Sequence, residues 1–292
     1  MARSITSEVP EELSGEKLIV FLRGYLKISA RLLPKLKNDP MGLLRNGEHI
    51  RTIDRIFTGD KITVTFPDEE NSIPPSDTDG LEIIYEDDDI LVVNKSPDIA
   101  MHPTHNHQGD TLANKIAAYF SEKGRQVVFR AVGRLDKCTS GLVIIALNAH
   151  SANILSENVE KEYIALVSGE YRGQGTINRP IIRPDPGKTY RWVGEEGEYA
   201  VTHWKCMKTD GKISMLKIHL ETGRTHQIRV HFASDGAPLV GDDMYGSADF
   251  STGRAALHCH SLKFLHPVTK TEMYLEAPLP EDMKKVADSI TE

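Results

Sequence analysis

Cysteine is scarce in this 292-residue chain: Cys138, Cys206 and Cys259 make an odd number with no CxxC spacing. That argues against a disulfide framework. Long hydrophobic runs are missing too. The longest, residues 142–147, falls far short of the roughly 20 apolar residues a membrane-spanning helix needs. The opening stretch, MARSITSEVP, has no apolar region of the kind a secretory signal carries. The motifs GxxxxGKS/T, GxGxxG and GxSxG are absent, so ATP-cradling, dinucleotide and serine-hydrolase readings lack their signatures. No internal repeat of about 20 to 50 residues is present either. These absences set the expectation of a soluble, cytoplasmic protein.

What is present is ordinary globular material. Hydrophobic residues make up 39% and charged residues 26%, with 22 glycines and 15 prolines. Collagen-like, low-complexity and wholly disordered chains are thereby excluded, and the length points to two domains. The net charge of −7, from 35 basic and 42 acidic residues, argues by itself against a nucleic-acid partner. Its distribution reverses that reading. Residues 67–94 hold ten acids and no Lys or Arg, whereas residues 15–66 hold ten Lys/Arg against five acids. A basic N-terminal unit sits beside an acidic joint, and binding responds to local fields.

The segment PDEENSIPPSDTDG, residues 67–80, has one apolar residue and reads as a linker. It divides the chain into 1–66 and 81–292. Before it, Leu18, Ile19, Leu22 and Leu26 have helical spacing, and Ser29 is placed to cap a second short helix. Asn46-Gly47 signals a hairpin, and residues 61–66 alternate as a strand. After the linker, residues 81–85 and 90–94 flank an acidic turn, and 142–147 and 163–167 read as buried strands. Leu216, Ile218 and Leu220 alternate with polar neighbours. Residues 111–120 and 225–234 read as helices, the second closing at Gly236. Strands and helices mix without a regular βαβ rhythm, which predicts an α+β fold with a mixed, largely antiparallel sheet flanked by helices.

Three segments hold residues suited to chemistry. In GRLDKCTSGL, Arg134 and Asp136 sit two apart in a turn that runs into the buried strand at Leu142. The mouth of a rigid strand is where reacting groups are often placed, and a surface turn with an Asx hydrogen bond has the same spacing. In LETGRTHQIRVH, Gly223 permits a sharp turn, Thr225 is placed to cap a helix, and Arg224, His226, Arg229 and His231 gather near its start. That set reads as an anion site or as a solvated cationic face. In KEYIALV, Tyr163 heads a strand, positioned to stack on a planar ligand or to pack in the core. Two histidine groups, His102/His105/His107 and His258/His260 with Cys259, match no zinc spacing.

In this order, the segments resemble the RluA/RluD-type RNA pseudouridine synthases. The resemblance runs from LEIIYEDDDILVVNK and Met101-His102-Pro103, through GRLDKCTSGL, KEYIALVSGE and LETGRTHQIRVHFASDGAPLVGDDMYG, to ALHCHSLKFLHP. The basic N-terminal unit resembles the small α/β S4-like RNA-binding domain often fused to these enzymes. The resemblance implies the pseudouridine synthase fold and conversion of a uridine in RNA to pseudouridine, with no cofactor and no metal, by a monomer. It implies that Asp136 is the catalytic aspartate, Tyr163 the tyrosine against the base, and Arg229 the arginine paired with the carboxylate. Arg134 matches the residue that holds the target nucleotide out of the helix, and Arg224, Thr225 and His226 fall in the substrate-binding segment. Ribosomal RNA of the large subunit is the expected substrate; tRNA, or a non-catalytic role in RNA binding or ribosome assembly, is the alternative. There are two departures. Gly133 stands where His or Asn is common, and Asn94-Lys95-Ser96-Pro97 is one residue longer than the usual NKP.

Overall fold

The computed structural model describes residues 3–67, 72–104, 107–246 and 251–291. Two hydrophobic cores organise them. The first belongs to the N-terminal unit. Its strands are β1 (Ser4–Glu8), β2 (Leu43–Arg45), β3 (Glu48–His49) and β4 (Lys61–Thr65), in the antiparallel order β1-β4-β2-β3. The expected hairpin joins β2 to β3. Asn46 at φ 53 and Gly47 at φ 91 are both left-handed, as a type I′ turn requires. Helix α1 (Leu18–Val20) runs into a wider helical turn over Phe21–Tyr25. Helix α2 (Leu33–Asn38) follows a turn in which Ser29 Oγ accepts from the Leu32 amide at 3.2 Å. Leu18, Phe21, Leu22 and Leu36 pack against Ile62 and Val64.

The second unit is built on nine strands. A hairpin of β5 (Glu82–Glu86) and β6 (Ile90–Lys95) closes through an acidic turn, where Asp87 Oδ1 accepts from the amides of Asp89 and Ile90 at 2.8 and 2.9 Å. Helix α3 (Leu112–Glu122) starts with a reciprocal cap between Thr111 and Asn114. Strand β7 (Ser140–Ala146) is buried along its whole length, as the apolar run predicts. Helix α4 (Ala149–Leu155) is capped by Asn148. There follow β8 (Val159–Ser168), β9 (Gln174–Asn178), the short pair β10 (Ile181–Ile182) and β11 (Trp192–Val193), then β12 (Val201–Thr209) and β13 (Ile213–Leu220). Helix α5 (Gln227–Ser234), β14 (Leu257–Leu265), β15 (Glu272–Glu276) and helix α6 (Glu281–Ser289) complete the chain. The sheet order is β5-β6-β7-β14-β8-β13-β12-β9, with β15 on β14. All its pairs are antiparallel except β14 on β7. The architecture is the mixed, largely antiparallel one expected.

The order places a late strand between two early ones. Cys259 of β14 lies opposite Gly141 of β7 on one side and Tyr163 of β8 on the other. Gly141 makes this approach possible. At its φ of 113 a Cβ would stand 2.3 Å from the Cys259 carbonyl oxygen.

The joint is docked rather than free. Ile73 packs on the second core, the Asn114 amide donates to the Pro74 carbonyl at 2.8 Å, and Lys115 pairs with Asp77. Residues 68–71, with the acids Asp68, Glu69 and Glu70, lie outside the described residues. The two units touch directly. Arg3 pairs with the buried Asp89 at 2.6 Å, and the Phe66 ring stacks on His150 at 5.3 Å. No helix among the described residues is long and apolar enough to cross a membrane.

Candidate active site

Asp136 lies in the loop that enters β7, partly exposed, and its neighbours are held from below. Lys95, almost fully buried, donates to the carbonyls of Lys137, Ser96 and Ile99 at 3.2, 2.9 and 3.0 Å. Burial pushes its ammonium pKa down to about 8. Arg254 donates to the Cys138 carbonyl at 2.9 Å. The carbonyls of the two residues after Asp136 are thus each bonded to a buried cation, which fixes the loop's path. Gly133 opens the loop at φ 79. Glycine adopts that conformation freely, and Asn and His are among the few other residues that visit it. The first departure from the family pattern therefore keeps the backbone requirement.

Arg229 projects from α5 and is 4% exposed. Its expected ion pair with Asp136 is present, but the closer bonds go elsewhere. Its planar fork is bidentate to Asp242, Nε to Oδ2 and Nη2 to Oδ1, both at 2.7 Å. Only Nη1 faces Asp136, 3.6 Å from Oδ2. Burial works to lower the guanidinium pKa, and the bonds to Asp242 with the surrounding acidic groups raise it above the ordinary value. The Tyr245 ring packs against the same guanidinium at 5.0 Å. The Tyr245 hydroxyl hydrogen-bonds His226 Nδ1 at 2.8 Å, and His226 Nε2 stands 4.0 Å from Asp136. Burial holds the His226 imidazole below its usual pKa, against the charge of Asp136.

The start of α5 also differs from expectation. Thr225 is exposed and caps nothing; the cap position is His226, at φ 57. The helix is anchored instead by the buried Gln227. Its carbonyl accepts from Thr222 Oγ1 and the Arg224 amide at 2.8 and 3.0 Å, and its amide donates to the Val201 carbonyl at 2.9 Å. The four cationic residues do not gather into one anion site. Arg224 pairs with Glu198 at 3.0 Å and donates to the Tyr199 carbonyl. His231 is buried between Thr202 Oγ1 and the Arg179 carbonyl, both at 2.9 Å.

Tyr163 is buried within β8 rather than standing at its head. Burial, the nearby Cys259 and Asp136, and a hydrogen bond with Cys259 push its phenol well above the ordinary range. Arg134, Asp136, Tyr163, Arg224, His226 and Arg229 line one cavity of about 70 Å³. That is well below the roughly 300 Å³ at which small-molecule sites begin. Sequence reasoning missed Asp242 and Tyr245. Their one signal is the acidic and aromatic content of GDDMYG.

The histidine groups have other partners. His102 meets the Phe129 ring edge-on, His107 bonds Asp110 at 2.6 Å, and His105 lies outside the described residues. His258 hydrogen-bonds Ser140, and His260 the Ala277 carbonyl. One acidic group, Asp87, Asp89 and His266, has ligand-like proximity, but its atoms are engaged with Tyr85, Arg3, Asn148 and one another.

Residues 89–234, which span both the Asp136 loop and the start of α5, match the family described as RNA pseudouridylate synthase. The chain belongs to that family. It is 37% identical to the uncharacterized RNA pseudouridine synthase YjbO of Bacillus subtilis over 270 residues, covering 90% of this chain and 95% of that protein. It is 35% identical to ribosomal large subunit pseudouridine synthase D of Salmonella typhimurium over 257 residues, covering 81% and 78%. Among solved structures it resembles human RNA pseudouridylate synthase domain containing 1, with a TM-score of 0.56 and 26% identity over 74% of this chain and 96% of that one.

Proposed function

We propose that the protein isomerises a uridine of large-subunit ribosomal RNA to pseudouridine, with Asp136 as its catalytic group. The observation that carries this reading is the placement of Asp136. It is a partly exposed carboxylate on a braced loop, 3.6 Å from a buried arginine and beside the cavity lined by Tyr163.

The reaction breaks the C1′–N1 bond, turns the uracil, forms C1′–C5, and releases the C5 proton. The Asp136 carboxylate acts on the sugar, either at C1′ or by taking the 2′ proton. The Tyr163 ring supplies the face that retains the detached base. Arg134 and Arg224, exposed at the mouth, meet the nucleotide as it leaves its stack, a step that costs about a few kcal/mol. The basic N-terminal unit, S4-like in this reading, supplies sequence-independent affinity for the RNA, and the protein works in the cytoplasm. Relatives named for the large ribosomal subunit favour ribosomal RNA over tRNA as substrate.

Asp136→Asn tests this directly. The amide is nearly isosteric but neither attacks the sugar nor takes its proton. Tritium release from C5-labelled uridine in RNA should vanish, with the urea midpoint unchanged. Wild-type turnover in the variant would remove the assignment.

A further inference from the structure

Helix α5 begins at a backbone outlier. His226, at φ 57 and ψ 20, is left-handed, a conformation few residues other than glycine adopt and one that clusters at functional sites. That backbone carries the imidazole to Asp136. Nε2 stands 4.0 Å from Asp136 Oδ1, while Nη1 of Arg229 stands 3.6 Å from Oδ2. Each carboxylate oxygen thus faces a different nitrogen, both beyond hydrogen-bond length. One residue touches both nitrogen-bearing groups. Tyr245 packs its ring on the Arg229 guanidinium at 5.0 Å and meets the His226 ring edge-on at 5.8 Å. Its amide donates to Asp242, the carboxylate that holds the Arg229 fork.

The Tyr245 hydroxyl governs what His226 offers. It accepts from the Arg191 amide at 2.9 Å and lies 2.8 Å from His226 Nδ1. Among the described residues it has no other hydrogen-bond partner, so its own proton goes to Nδ1. The ring proton is then left on Nε2. The opposite tautomer would strand the phenol proton and turn a nitrogen lone pair toward the Asp136 carboxylate.

We infer that Tyr245 is a positioning residue that locks His226 as a neutral Nε2–H donor aimed at Asp136. The inference deepens the reading of Asp136 as the catalytic group and rests on it. A neutral N–H orients the carboxylate without capturing it, and such bonds tighten when the substrate is bound. An imidazolium would hold the carboxylate as an ion pair. Burial keeps the ring neutral, helped by Arg229 and Arg191 and opposed by Asp136 and Asp242.

Heteronuclear NMR of protein labelled at its histidine nitrogens reads the tautomer, and His226→Asn assigns the signal. Asn accepts the left-handed backbone and has no nitrogen at the Nε2 position. Near neutral pH, wild type should carry the His226 proton on Nε2. Tyr245→Phe keeps the ring contacts and removes only the hydroxyl. It should mix the two tautomers and raise the His226 pKa, because the lost bond favours the neutral ring. Its single-turnover rate should fall about 10-fold, the lower worth of a hydrogen bond to a charged group. The acid limb of that rate should move to higher pH, with the Kd for RNA unchanged. His226→Asn should fall at least as far. The double variant should fall no further than His226→Asn, since the hydroxyl acts through the ring.

A wild-type proton on Nδ1, full rate in Tyr245→Phe, or a Tyr245→Phe loss that recurs in the His226→Asn background would each overturn the inference. Asp136→Asn, assayed in parallel by tritium release, separates this failure from that of the reading beneath it. Turnover in Asp136→Asn removes the catalytic reading, and this inference with it, whatever the tautomer. Silence in Asp136→Asn with an unchanged Tyr245→Phe removes the lock alone.

Discussion

A lysine at position 229 keeps the charge and loses the geometry. The fork of Arg229 is spent on Asp242, a carboxylate with no exposure, and only its third nitrogen is turned toward Asp136. A single ammonium cannot hold both carboxylates in this arrangement. Arg229→Lys should therefore reduce single-turnover rate by about 100-fold or more, since a misplaced group at a reacting centre costs that much, with RNA affinity and its salt slope nearly unchanged. Asp242→Asn separates bracing from chemistry. It leaves Arg229 in place but removes the anion that orients it, and breaking such a buried pair costs about 3 to 5 kcal/mol of stability. Urea midpoint and single-turnover rate should fall together in Asp242→Asn, whereas Asp136→Asn should lower the rate alone. Full activity in a destabilised Asp242→Asn protein would reduce Asp242 to a purely structural group.

At the scale of the elements, much of the fold was legible where local chemistry dominates. Asn46-Gly47 marks its hairpin, the run ending in Leu147 marks β7, and Thr111 marks the start of α3. Strands β12 and β14 were not read as strands. In VTHWKCMKT and LHCHSLKFL, histidines, cysteines and lysines interrupt the alternation, because their two faces meet different neighbours. Helix α4 escaped because its seven residues carry too little periodicity, although Asn148 is a good cap. The start of α5 was misjudged for a related reason. Thr225 has the right chemistry for a cap, but the buried Gln227 two residues on does the anchoring, bonded to Val201 of a neighbouring strand, which no local pattern reveals. Position 133 supplies the test at this scale. Gly133→Asn should retain more turnover than Gly133→Val, since Asn tolerates positive φ, while in both variants the new Cβ displaces Lys161 Nζ, 2.5 Å from where it would stand. Gly133→Val, β-branched, should displace the Asp136 loop and lower the rate at least 10-fold in the same tritium assay. Equal rates in the two variants would mean that the loop's path does not depend on this φ.

At the scale of the whole molecule, acid should loosen the protein well before its carboxylates titrate. His150, at the joint, and His258, in β14, are both pushed down to about 4 by burial. Above pH 6.5 each is neutral whether folded or not, and its contribution to stability is complete. Between about 6.5 and 4 the unfolded chain takes up protons that the folded one refuses, so stability falls with falling pH and levels off below 4. The loss should approach roughly 3 kcal/mol per histidine. His150→Phe keeps the stack on Phe66 and removes a buried Nδ1 that has no hydrogen-bond partner. Its urea midpoint should match or exceed wild type at pH 7 and drop about half as steeply toward pH 4.5. A parallel pH dependence in the two proteins would exclude His150 as a source of acid sensitivity.

The insertion of β14 between β7 and β8 has a consequence in time. A chain emerging from the ribosome makes the Asp136 loop and the Tyr163 strand early and close together, yet they are not neighbours in the sheet. The strand that spaces them, lying on Gly141 from one side and Tyr163 from the other, is synthesised about a hundred residues later. Until Leu257–Leu265 has been translated, the strand between the two halves of the site is missing, and pairing over such a sequence distance is slow to form. The sheet beneath the site is thus completed only by a strand that ends at Leu265.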